Sequence, residues 1–81
     1  MKTYTERVED GFIVVDKATA EYVTFSKRKN AEIFRKFVAK FEGSIEERFN
    51  AYADGLIDIY SGYYPGMNRI DLLLLVERDL F

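Results

Sequence analysis

Eighty-one residues, 48% hydrophobic and 16% aromatic with a formal net charge of −2, have the composition of one small globular domain rather than of a disordered chain. A chain of this length buries only about two-thirds of the surface its unfolded form exposes, which leaves little interior for an enclosed substrate cleft. There is no cysteine and no histidine, so disulfides, thiolate nucleophiles and the side chain most used for proton transfer near neutral pH are all excluded.

Lys2–Val8 alternates as a first strand, Glu9-Asp10-Gly11 supplies a tight turn with a glycine for unusual backbone angles, and Phe12–Asp16 reads as the second strand. Lys17–Ala20 turns the chain again. Glu21–Phe25 follows as a third strand, with Tyr22 and Thr24 facing one way and Val23 and Phe25 the other. The period then changes. Ser26 is an N-cap candidate, and Ile33, Phe34, Phe37, Val38 and Phe41 recur at helical spacing. Gly43 suits a helix C′ position.

Ser44-Ile45-Glu46-Glu47 matches the S-x-x-E capping box and predicts a second helix, whose apolar side is Ile45, Phe49, Tyr52, Leu56 and Ile59. The alternative is that Gly55 ends this helix and Leu56–Tyr60 forms a strand. Ser61–Met67 reads as a loop, because Gly62, Pro65 and Gly66 interrupt any regular pattern around Tyr63 and Tyr64. Arg69–Glu77, with its Leu72–Val76 run, reads as a central C-terminal strand, and a short helix capped by Asn68 is the rival. The expected architecture is a single α+β domain over residues 1–81. Its order is β-β-β-α-α-β, an antiparallel meander and a last strand making a four-stranded sheet with both helices on one face.

Charge is segregated along this order. Between Ser26 and Phe41, Lys27, Arg28, Lys29, Arg35, Lys36 and Lys40 oppose only Glu32, a balance of +5. Between Glu42 and Tyr60, Glu42, Glu46, Glu47, Asp54 and Asp58 oppose only Arg48, a balance of −4. Such polarity suggests a protein that works by binding.

The basic face is a candidate for neutralising nucleic-acid phosphates, against the plainer reading of a solvated helix with Arg28, Glu32 and Lys36 spaced i, i+4. The overall acidity of the chain, with an isoelectric point near 5.1, argues against a dedicated nucleic-acid binder. No G-x-x-G loop joins the helices as KH-type binding requires. Tyr63 and Tyr64, held between glycines and Pro65, offer amphipathic rings as partner anchors. The acidic side of the second helix, Glu46, Glu47, Asp54 and Asp58, offers a face for a basic partner.

Catalysis has weaker support. Asp71, Glu77 and Asp79 share strand parity as magnesium ligands would, but polar ends of a buried strand explain them as well. Ser44 has no base in view and is better explained as a cap. The Gly62–Gly66 loop lacks the lysine and helix of a phosphate cradle. No catalytic residue, cofactor or metal is expected.

No family motif is present. In size and composition the chain resembles the small accessory proteins of phages and mobile elements, including anti-defence inhibitors, which implies action by blocking a partner. The N-terminus carries no apolar signal core, and Leu72–Val76 is far short of the roughly 20 residues of a membrane span, so a soluble cytoplasmic protein is expected. The leading expectation is a non-enzymatic protein-binding module that occupies a partner's surface. The alternatives are a nucleic-acid-binding protein and a homodimer paired through a sheet edge or the Leu72–Val76 strand.

Overall fold

The computed structural model describes all 81 residues. Three antiparallel strands, β1 (Thr3–Val8), β2 (Gly11–Asp16) and β3 (Tyr22–Phe25), form a meander in the order β1-β2-β3. Helix α1 (Arg28–Phe37), a 3₁₀ turn (Val38–Lys40), α2 (Ile45–Tyr63) and α3 (Arg69–Leu80) follow.

Register decides which side chains meet the helices. Val14 pairs with Thr5 and Val23, and Phe12 with Arg7 and Phe25, so Val14, Val23 and Phe25 stand together on the helix-facing side and are buried. Tyr4, Val15 and Tyr22 align on the other side, where the two tyrosines screen Val15, itself only 4% exposed. The β2–β3 turn is held by local side-chain bonds: Asp16 Oδ1 accepts from Ala18 N at 2.9 Å and Thr19 Oγ1 from Glu21 N at 3.2 Å, while Ala20 takes a left-handed φ of 64°.

Helix α1 starts one residue later than an N-cap at Ser26 would place it. The Ser26 N–H donates to Phe81 O at 2.9 Å, joining the end of β3 to the end of α3, and Lys27 becomes an N-cap with no side-chain cap bond. The helix also tightens early into the 3₁₀ turn, so Gly43, at φ +99°, precedes the next helix instead of closing this one. Arg48 secures that connection, donating to Gly43 O at 2.9 Å and to Val38 O at 3.0 Å.

The capping box forms as the sequence implies: Ser44 Oγ accepts from Glu47 N and Glu47 Oε1 from Ser44 N, both at 3.1 Å. Helix α2 then runs through Gly55 and Gly62 to Tyr63, so neither a strand at 56–60 nor a loop from Ser61 exists. The last turn is held by Tyr64 N donating to Tyr60 O and by the Tyr60 and Tyr64 rings at 6.0 Å, which outweighs the flexibility of Gly62. A methyl at Gly55 would meet nothing within 4 Å. Gly55→Ala is therefore expected to raise stability by about 0.4–1 kcal/mol, read as a higher urea midpoint with an unchanged slope.

The C-terminal segment is a helix and not a fourth strand. Leucine favours helix over strand, Asn68 Oδ1 caps Asp71 N at 2.9 Å, and the buried Leu72 and Val76 are four residues apart, which is one face of a helix. The sheet therefore has three strands. Helix α3 crosses α2 at Ile57: Arg69 reaches Asp54 at 2.7 Å, and Tyr60 donates to Asp79 Oδ2 at 3.0 Å.

Two apolar clusters result. The larger joins sheet, α1 and α2 around Phe34, with Phe25, Phe49 and Tyr52 rings packed on it; the smaller is Ile57, Leu72 and Val76 between α2 and α3. Leu56 and Phe81 touch both clusters.

Candidate functional site

The six basic residues of the α1 region do not act as one face. Arg35 is half-buried and tied to β1: Nε donates to Thr3 Oγ1 at 3.1 Å, Nη2 to Thr3 O at 2.9 Å, and Nη1 to Glu32 Oε2 at 3.0 Å. Glu32 in turn accepts from Thr5 Oγ1 at 2.6 Å, so the pair fastens the helix to the edge strand. Arg28 lies over the Phe12 ring at 4.9 Å and Lys40 over Phe37 at 4.8 Å. Lys27, Lys29 and Lys36 are exposed. Of the basic stripe only Arg35 is thus drawn into the fold, and the other five residues stay exposed. Arg35→Ala is expected to lower stability by about 1–2 kcal/mol, whereas Lys36→Ala should stay within about 0.5 kcal/mol; urea unfolding compares the two.

The acidic and aromatic candidates also separate. Glu47 is consumed by the Ser44 cap, whose backbone and hydroxyl bonds hold its carboxyl below the ordinary 4.5. Asp54 pairs with Arg69, and Asp58 lies 4.0 Å from the same guanidinium, so both acids hold α3 in place. Glu46 is exposed and makes no ion pair. At 100° per residue Tyr63 lies opposite Asp54 and Asp58 on α2, aligned instead with Ile45, Tyr52, Leu56 and Ile59. That stripe outruns the core: Ile59 is 56% and Tyr63 75% exposed, while Tyr64, at 42%, is the C-cap residue packed on Tyr60.

The three acids of the last segment part company on a helix. Asp71 sits in its first turn, Glu77 faces a groove, and Asp79 accepts from Arg78 Nε at 2.7 Å and from Tyr60. The Arg78 bond holds the Asp79 carboxyl below its usual range, and burial first, with Asp79 second, raises the Tyr60 hydroxyl. No group of histidine, cysteine, aspartate and glutamate side chains is placed to hold a metal ion.

What sequence reasoning missed is the groove that Glu77 faces, about 1070 Å³ between the β1–β2 hairpin and the α2–α3 pair. Its floor is Phe12, Phe25, Phe49, Ile57, Leu73 and Phe81, drawn from four elements and the chain end. Val8 and Ile70 form apolar lips, 38% and 72% exposed. Asp10, Asp54 and Glu77 bring negative charge to the rim against Arg69. Once 69–80 is placed as a helix, Ile70, exposed, and Leu73, only partly covered by the α2–α3 cluster, are the signal in the sequence for this surface.

Fold and groove together define a small α+β domain with an uncovered apolar cleft. No family model, curated protein or solved structure matches the chain. No helix is long and apolar enough to cross a membrane.

Proposed function

We propose that the protein is a non-enzymatic protein-binding module that works by occupying a surface of a partner. The groove carries this reading: an aromatic and aliphatic floor, open to solvent between the apolar lips Val8 and Ile70 with charge on the rim, has the make-up of a docking site. The exposed Tyr63 and Ile59, on another side of α2, are a separate apolar patch available to a partner.

Selection from a displayed random-peptide library tests the proposal. Peptides enriched on the native chain are expected to lose binding to Ile70→Glu, a change at an exposed lip that leaves the core intact. Random DNA and RNA, titrated at roughly 50 and 200 mM salt, are expected to bind weakly at both. Tight nucleic-acid binding that collapses at the higher salt and is lost on Lys29→Glu with Lys36→Glu would overturn the proposal.

A further inference from the structure

Resting on that reading, we infer that the groove receives one face of an amphipathic helix from a partner protein, with lysine or arginine flanking its apolar side chains. The floor offers apolar surface along the join between the hairpin and two helices, so what enters must present a row of apolar side chains. An added strand fits less well. The backbone donor at the end of β3, Ser26 N, is already taken by Phe81 O, so the strand edge is closed where it meets the groove.

The charge of the flanks follows from the rim. Arg69 is held by Asp54 at 2.7 Å and Asp58 at 4.0 Å, and its charge is matched within the molecule. Asp10 on the hairpin and Glu77 on α3 form no ion pair. They line the groove with Asp54 and Arg69, three carboxylates against one guanidinium, and Arg28, over the Phe12 ring at 4.9 Å, is not among the lining, so the charge over the opening is negative. The chain's own basic helix does not fill this role for a second copy, because its apolar side, Ala31, Phe34 and Val38, is buried in its own core.

Titrating the ¹⁵N-labelled chain with three short model peptides tests the inference. One is a helical peptide with leucines at i, i+3, i+4 and i+7 and lysines around them; the second scrambles it; the third exchanges its lysines for glutamates. The lysine helix is expected to shift the amide signals of Val8, Asp10, Ile70 and Glu77. Ile70→Glu should weaken it roughly tenfold or more, and Asp10→Lys with Glu77→Lys roughly five- to tenfold. Equal binding of the glutamate helix would overturn the charge assignment and leave the docking module standing. Equal binding of the scrambled peptide would show charge attraction alone and overturn the helical face. Failure of every peptide, together with failure of the library selection, would remove both readings. Shifts of the same residues on concentrating the chain alone would assign the groove to a second copy and overturn the inference.

Discussion

Phe34→Ala is expected to cost about 3–5 kcal/mol, the largest loss from any single truncation in this chain. Phe34 has no exposed surface, and its ring lies 5.5 Å from Phe25 of β3, 5.8 Å from Phe49 and 5.3 Å from Tyr52 of α2. Sheet, first helix and second helix therefore all meet on this side chain. Its neighbours cannot close the gap, because Phe25 is fixed by β3 and Phe49 and Tyr52 by α2, and collapse of one would uncover another. Small domains hold only about 5–15 kcal/mol in total, so the variant should show a greatly reduced urea midpoint or no cooperative transition. Phe37→Ala, three residues on, is the control: that ring is 38% exposed, stacks on Tyr52 at 6.3 Å and supports the Lys40 ammonium, and about 1 kcal/mol is expected. Equal losses at the two positions would show that the aromatic cluster is not organised around Phe34.

The N-terminal half of this fold was legible because its signals are local. The hairpin needs only Gly11 and alternation, the turn at 17–20 needs Asp16 and Thr19, and the start of α2 needs Ser44 and Glu47; each acts within a few residues of itself. The C-terminal half depended on distant contacts. Leu72–Val76 is apolar at both helical and strand spacing, and what selects the helix is the Asn68 cap together with Ile57, fifteen residues before Leu72, as the surface to be covered. Ser26 shows the same limit from the other side. It has the chemistry of an N-cap, yet it stands one residue before the cap, and its N–H is bonded to Phe81 at the far end of the chain.

The candidate site divides along the same line. Segregated charge was read correctly as sequence, but charge by itself does not say whether a side chain faces outward. Arg35 turns inward because Thr3 and Thr5 of β1 offer oxygens beside it, and Asp54 is paired with Arg69, with Asp58 4.0 Å from the same guanidinium, because α3 brings that arginine to them. Both partners lie in elements whose position depends on the folded topology. The surface left over is consequently different from the one the charge pattern suggests: lysines on one side, an apolar groove with two unmatched carboxylates on another. The groove exists because α3 crosses α2 at Ile57 instead of adding to the sheet, so it had no counterpart in a four-stranded arrangement.

Gly11→Ala should damage fold and groove together. Gly11 sits at φ +152°, where an L side chain is strained by about 1–3 kcal/mol, and an added Cβ would fall 2.4 Å from Phe25 O and 3.3 Å from Ser26 Cα. Both obstacles are backbone, so no side chain can swing aside. Relief requires the β2–β3 pair to part at its Phe12–Phe25 rung, and a loss of at least about 2 kcal/mol is expected. The displacement does not stop there. Phe25 carries into Ser26, whose N–H holds Phe81 O, and Gly11, Phe25, Ser26 and Phe81 all line the groove. Hydrogen exchange reads this directly: the Ser26 amide, protected by Phe81 in the native chain, should exchange faster in Gly11→Ala than in Gly55→Ala, the same change at a glycine with open space around it. An unchanged urea midpoint with Ser26 still protected would mean that the hairpin end is free to yield, and that the groove does not depend on the backbone contact between Gly11 and Phe25.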